Sequence, residues 1–479
     1  MNGLQINETK PPLPRRRPFL PDGPAMQRPN IVFIFADQMR AQATGYAGDP
    51  NVQTPYLDRL AGHSLNLTNA VANCPVCTPY RACLLTGQYP LRHGLFLNDL
   101  CLPDNGHGLG QELGRGGYDT AWIGKWHLDG HGRSAPIPSQ RRQGFDYWKV
   151  LECTHNYNNS QYYAGNDTLP RWWDGYDAYA QTEDAVGYIE GRGTADGPFA
   201  LFLSLGTPHD PYDTAPADLQ ALYPGDKLHL RDNVAPHRQA LARQQLSGYY
   251  AHITAIDRCV ERLDRAVAAA GLVDDTIFVF TGDHGDMLES QWQGGDSQRG
   301  VRKQVPYDES VCVPFLLRYP ARFGLGGRVV PEPLATPDIM PTLLGLCGLA
   351  VPDLVQGEDM GVVLDESGKL ERSGVLIACY HPFADWRTGR GGRPYRGIRT
   401  QRYTFVRDCN GPWLLFDNSE EPFQLDNLVN QEAMVQVQQS LDGELAAMLE
   451  AQGDAFETPA ELRQRWGYVV NDQECIPYR

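Results

Sequence analysis

NIVFIFADQ, Asn30–Gln38, is a run of apolar residues closed by polar ones. A segment this short, apolar at every interior position, reads as a strand buried on both faces, the pattern of a parallel sheet covered by helices. The same texture recurs in DTAWIGKWH (Asp119–His127), PFALFLSLGTPH (Pro198–His209) and TIFVFTGDHGD (Thr276–Asp286). Helical patterns fall between these runs. TPYLDRLAGHS (Thr54–Ser64) offers a Thr cap and a Pro at the first helical position. From Arg238 to Ala270, Val260, Leu263 and Val267 recur at helical spacing. Strands alternating with helices predict an α/β fold, a large, mixed, mostly parallel sheet sandwiched by helices.

After about Val375 the texture changes. YRGIRTQRYTFVR (Tyr395–Arg407) and GPWLLFDN (Gly411–Asn418) read as antiparallel strands. Asn430–Gln452 reads as an amphipathic helix with Met434, Val437, Leu441, Leu445 and Leu449 on one side. The predicted organisation is a disordered tail at 1–29, a catalytic domain at 30–375 and a smaller C-terminal α+β subdomain at 376–479.

The chain has 479 residues, 42% of them hydrophobic and 21% charged, which places it with folded proteins rather than disordered ones. Its net charge of −16 argues against nucleic acid as a partner and requires local positive charge for any anionic substrate. No apolar run approaches the roughly 20 residues of a membrane span. RRRPFL (Arg15–Leu20) is followed by PDGPAMQRPN instead of an apolar stretch, so it is not read as an export signal. The chain as written reads as cytoplasmic, with export left open by a possible start at Met26. Eleven cysteines, an odd number spread over the chain, fit a reducing compartment, mostly as small buried hydrophobes, with one of them reactive.

All four apolar runs carry Asp, His or Lys at or just beyond their C-terminal ends, the edge where open α/β sheets bind ligands. Asp283 and His284 are adjacent, and neighbouring strand residues point to opposite faces, so both reach one site only through a turn, which Gly282 and Gly285 permit. Lys125 and His127, two apart, share one face of a strand. YRACLLTG reads as the opening of a helix, which places Cys77 near a terminus that favours an anion.

Cys77-Thr78-Pro79-Tyr80-Arg81 spells C-x-P-x-R, and Gly117-Tyr118-Asp119-Thr120-Ala121-Trp122-Ile123-Gly124-Lys125-Trp126-His127 spells G-Y-x-T-x-x-x-G-K-x-H. In these two motifs the chain resembles the type I sulfatases of the alkaline phosphatase superfamily, from Asn30 to about Asn430. The resemblance implies an alkaline-phosphatase-like fold and hydrolysis of a sulfate monoester, most simply of a sulfated carbohydrate or small molecule. It implies that a maturation enzyme oxidises Cys77 to formylglycine (3-oxoalanine). A thiolate would be left with a sulfate adduct that has no internal exit, whereas a hydrated aldehyde offers two hydroxyls on one carbon. Arg81 would be a fixed cation beside it.

By the same resemblance, Asp37, Asp283, His284 and residue 77 bind one divalent cation, Ca²⁺ foremost, with Mg²⁺ or Mn²⁺ as alternatives. Most members carry a second aspartate where this chain has Gln38, whose amide oxygen can still ligate with one charge less. Lys125 and Lys303 are implied on sulfate oxygens, the latter in KQVPYDESVCVP with Asp308 where the family has Glu. His127 is implied on the formylglycine hydroxyl, and His209 on sulfate or the leaving oxygen. Cys74 and Cys83 are left as packing residues. Asn98 is a candidate polar contact near the nucleophile. The Asn- and Tyr-rich stretch Cys153–Asp167 is a candidate sugar contact or an ordinary loop. Arg387, Arg390 and Arg393 are a candidate contact for an acidic sugar or a solvated loop. Two rival readings stay open: a phosphonate monoester or phosphodiester hydrolase, and a catalytically silent carbohydrate-binding relative.

Overall fold

A computed structural model describes residues 28–192, 197–292 and 300–477. The expected N-terminal tail lies outside them except for Arg28 and Pro29. Asn30–Asp37 forms the central strand, and its alternate residues feed two different cores. Ile31, Phe33 and Phe35 enter one hydrophobic cluster, and Val32, Ile34 and Ala36 enter the other, all fully buried. Phe199–Pro208 and Thr276–Gly282 flank it in parallel and split their side chains between the same two cores. This is the physical reason for the continuous apolar run: neither face of the sheet meets water.

Ten strands make up this sheet, in the order Arg328–Val330, Leu65–Leu67, Phe315–Arg318, Thr276–Gly282, Asn30–Asp37, Phe199–Pro208, Asp119–Lys125, Tyr147–Leu151, Gln161–Ala164 and Arg171–Trp172. The centre is parallel; Phe315–Arg318 and the strands Gln161–Ala164 and Arg171–Trp172 run antiparallel to their neighbours. One face is covered by the helix Cys77–Thr86, through Tyr80, Ala82, Leu84 and Leu85. The other is covered by the long helix Gln239–Ala269, which spans nearly the expected range, together with Asp177–Glu190. The helix Pro55–Ala61 does begin with its proline, but Thr54 does not cap it. The Thr54 hydroxyl donates to Asp58 and accepts from the Gly45 amide, so it ties the preceding turn instead. Among the described residues no helix is long and apolar enough to cross a membrane.

A second, antiparallel sheet follows: Gly374–Cys379, Tyr395–Thr400, Tyr403–Asp408 and Gly411–Asp417. Val375, Ile377 and Cys379 face the larger body with Met287 and Val305, while Leu376, Ile398 and Phe405 face the helix Val435–Gln452. That helix begins at Val435 rather than at the expected Asn430; it meets the sheet with Leu441 and Leu445, flanked by Val437 and Leu449 and by Met434 from the short turn before it. The chain then returns to the first body, where Leu462, Trp466 and Tyr468 join the core beneath the Cys77–Thr86 helix.

Arg396, fully buried in the second sheet, donates from Nε and Nη2 to the equally buried Asp454, with its guanidinium over the rings of Tyr380 and Phe456. Removing one partner strands the other charge away from water. Asp454→Ala is therefore expected to lower unfolding free energy by about 3–5 kcal/mol, read as a shift of the urea midpoint. A loss below 1 kcal/mol would mean that water reaches the guanidinium.

Candidate active site

The C-terminal ends of the four central strands converge as expected. Asp37 ends the first strand, Lys125 ends Asp119–Lys125, His209 follows Phe199–Pro208, and Asp283 and His284 follow Thr276–Gly282. Cys77 is the first residue of its helix, and its sulfur lies between them. It is 3.6 Å from Asp37 Oδ1, 3.2 Å from His284 Nε2 and 3.2 Å from Lys303 Nζ.

The carboxylates are divided between two tasks. Asp37 Oδ2 accepts from Lys125 Nζ at 2.6 Å and from Arg81 Nη2 at 3.2 Å. Asp283 Oδ2 stands 3.4 Å from the same Arg81 nitrogen, and its Oδ1 accepts the Gln38 amide at 2.8 Å. Arg81 also donates to Ser204 Oγ and the Lys125 carbonyl, so its fork is locked. Burial opposes ionisation of Asp37, yet Lys125, His209 and Arg81 together hold its carboxyl well below the usual range. Asp283 goes the other way: burial and the Asp37 charge push it up to about 6. The Cys77 thiol is pulled well below its ordinary value by Lys303, Lys125 and His284, against burial and Asp37.

This set fits a divalent cation. Ligand atoms of Asp37, Cys77, Asp283 and His284 lie within 4.8 Å of one another, all buried. His284 Nδ1 faces the Gly285 carbonyl at 3.0 Å, so as donor there it leaves the Nε2 lone pair toward the cluster. Gln38 Nε2 donates to Asp286 at 2.6 Å, while its buried Oε1 has no hydrogen-bond partner among the described residues, an orphaned acceptor. Gln38 also adopts a left-handed backbone, φ 66°.

Two local expectations are corrected. His127 does not share a strand face with Lys125, because the strand ends at Lys125 and His127 turns to φ 57°. Gly282 and Gly285 serve by close approach rather than by unusual dihedrals: a Cβ on Gly285 would stand 2.0 Å from the Glu309 carbonyl, and one on Gly282 2.8 Å from that of Met39.

The remaining candidates separate clearly. His209 lies 3.4 Å from Lys303 Nζ through Nε2, and its Nδ1 faces the Asp210 carbonyl at 2.9 Å. Burial, Lys303 and His155 hold it well below the ordinary histidine value. Asn98 Oδ1 accepts the Thr78 amide at 3.0 Å, at the helix terminus that carries Cys77. The Cys153–Asp167 stretch approaches through His155, whose ring stacks on His209 at 4.5 Å between centroids. Arg390 and Arg393 are engaged by Asp385 and Asp408, and Arg387 by the Ala384 carbonyl. Cys74 and Cys83 lie in the core, and all eleven cysteines are free.

The sequence carries no signal for Asp99, and Cys153 enters it only as the first residue of the Asn- and Tyr-rich stretch. Asp99, at φ 63°, accepts from His127 Nε2 at 3.2 Å and from Arg133 Nε and Nη2 at 2.9 and 3.1 Å. Despite burial, His127 and Arg133 hold it well below the usual carboxylate range. Cys153 is buried, and its thiol is drawn well below the ordinary value by His127 and Lys125 against that burial. Neither residue lies in a motif; Asp99 follows Asn98 in a loop whose approach to His127 depends on tertiary packing.

Comparisons place this geometry among known proteins. A sequence model of the sulfatase family matches residues 29–349, and one of the N-sulphoglucosamine sulphohydrolase C-terminal region matches 299–451. The chain is 43% identical over 452 residues to an ulvan-active sulfatase of Formosa agariphila, covering 94% of this chain and 87% of the relative. It is 32% identical over 506 residues to an endo-4-O-sulfatase of Bacteroides thetaiotaomicron, covering 92% and 96%. A solved structure from work on glycosaminoglycan metabolism in Bacteroides thetaiotaomicron superposes with a TM-score of 0.79 at 30% identity, covering 94% of this chain and all of that one.

Asp99→Asn keeps the shape and removes the charge that orients His127. It is expected to lower kcat on 4-nitrophenyl sulfate about 10- to 100-fold, with KM changed much less and the pH profile altered. An unchanged kcat would separate Asp99 from the chemistry.

Proposed function

The chain belongs to the sulfatase family, and we propose that it hydrolyses a sulfate ester of a polysaccharide through a formylglycine made from Cys77. The observation that carries this is the placement of Cys77: first in its helix, buried, with the Lys303 ammonium, the His284 imidazole and the Asp37 carboxylate all within 3.6 Å of its sulfur. The sulfur marks where the oxygens of the modified residue would stand. Conversion of Cys77 by a maturation enzyme would supply a hydrated aldehyde, one hydroxyl to attack sulfur and the other to expel sulfate. A divalent cation held by Asp37, Asp283, His284 and Gln38, most simply Ca²⁺, would supply charge that acidifies the attacking hydroxyl and neutralises the ester oxygens. Three oxygen donors and one imidazole suit a hard ion.

The chain's own residues supply the rest. Lys125 and Arg81 neutralise Asp37, so that its second oxygen is free toward the nucleophile. Lys303 Nζ stands 3.2 Å from the Cys77 sulfur, and with Lys125 it would bracket a sulfate group. Lys303 and His209 share a hydrogen bond, so a proton on this pair can reach the leaving oxygen. His127, fixed by Asp99, would take the proton from the second hydroxyl. The sulfatase relatives favour sulfate over the phosphonate and phosphodiester alternatives. A polysaccharide as substrate rests on the ulvan-active relative.

Intact mass of the peptide containing residue 77 tests the modification, because formylglycine is about 18 Da lighter than cysteine. Cys77→Ala is expected to reduce hydrolysis of 4-nitrophenyl sulfate to background while circular dichroism stays native; substantial residual turnover would sink the mechanism. For His209→Ala, the loss of kcat/KM is expected to be greater for a sugar sulfate than for 4-nitrophenyl sulfate, because a poor leaving group needs the proton more. Equal losses would remove His209 from proton delivery.

A further inference from the structure

Next to the His155–His209 ring pair lies a cavity of about 720 Å³, within the range of small-molecule sites. Its wall joins the catalytic groups at two points. His155 lines it, and that ring lies nearly parallel to the His209 ring, 4.5 Å between centroids. Arg302 lines it too, directly before Lys303 in the chain, and pairs with Asp210, directly after His209. The far wall is the start of the long helix, with Gln244 at its rim, and the Asp213–Gln220 segment.

The charges in this wall are unlike those around Cys77. Its guanidinium already pairs with Asp210, and Asp213 adds a carboxylate that has no ion pair among the described residues, so a second anionic group is repelled. What the wall offers is neutral hydrogen bonding. Gln244 is exposed and makes no hydrogen bond among the described residues. Gln220 uses its Nε2 on the Asp213 and Ala215 carbonyls, which leaves its amide oxygen available. The edge formed by His155 has one ring face covered by His209 and belongs to the cavity with the remainder.

We propose that this cavity is a subsite for the glycosyl residue next to the sulfated one, gripped through its hydroxyls, with the polymer's anionic groups held outside. The proposal rests on the sulfatase reading and names the part of that site that distinguishes a saccharide from a small aryl sulfate. It makes the enzyme's preference for a chain a property of the wall behind His209, separate from the groups that hold sulfate.

The test is the ratio of two specificity constants, kcat/KM for sulfated ulvan oligosaccharides over kcat/KM for 4-nitrophenyl sulfate. Gln244→Trp, which places an indole at the cavity rim from an exposed helix position, is expected to lower the ratio at least tenfold, mainly through the saccharide KM. Gln220→Ala, which removes the free amide oxygen from the opposite wall, is expected to lower it severalfold and serves as the second variant if the first folds poorly. A ratio within twofold of wild type in both variants overturns the subsite, even if both constants fall together. If wild type cleaves 4-nitrophenyl sulfate and releases no sulfate from the oligosaccharides, the subsite falls while the sulfatase reading stands; if it cleaves neither, the reading itself falls.

Discussion

Two carboxylates buried beside one another are the constraint around which this protein is built. Asp37 and Asp283 are both removed from water; burial raises the cost of charge on each, and the Asp37 charge raises it further for Asp283. Arg81 answers both, 3.2 and 3.4 Å away, and Lys125 answers Asp37 alone. The asymmetry matters. It leaves Asp37 ionised and Asp283 short of positive charge, on the side where His284 and Cys77 gather. A site with that imbalance is built to receive a cation, and the two lysines and one arginine are then positioned to admit an anion into a chain of net charge −16.

Holding those groups in place requires backbone that regular structure does not provide. Gln38, Asp99 and His127 all adopt left-handed conformations at the ends of strands or in the loop beside them. Each costs on the order of 1–3 kcal/mol, and each is over-determined by its surroundings. The Gln38 amide donates to Asp283, Asp99 is clamped by Arg133, and the His127 carbonyl accepts from Thr78. The flanking sheet cores, dry on both sides, absorb that strain.

The second sheet contributes to the site without touching the nucleophile. Arg399 grips Asp308 with two hydrogen bonds of 3.1 and 3.0 Å, and Gln424 both donates to the Asp308 carboxylate and accepts from its amide. Gln304, next to Lys303, exchanges hydrogen bonds with the Phe383 backbone. The segment that carries Lys303 is thus suspended from the C-terminal sheet. Asp308 was read in the sequence as a variant of a family glutamate; its place in the fold is this anchor.

The sequence by itself determined the central architecture, because a strand buried on both faces must be apolar at every position, and four such runs could only pair side by side. It also marked Asp37, Lys125, His209, Asp283 and His284 as polar groups at strand ends, and Cys77 through a motif shared with the type I sulfatases. Tertiary structure decided what depends on contact between distant segments: that Asp99 orients His127, that Cys153 lies beside the same ring, that His155 stacks on His209, and that Gly285 is a glycine because the Glu309 carbonyl passes 2.0 Å from where its Cβ would be. Those pairings join loops whose local sequence carries no periodicity, so nothing in either partner announces the other until the sheet brings them to one edge.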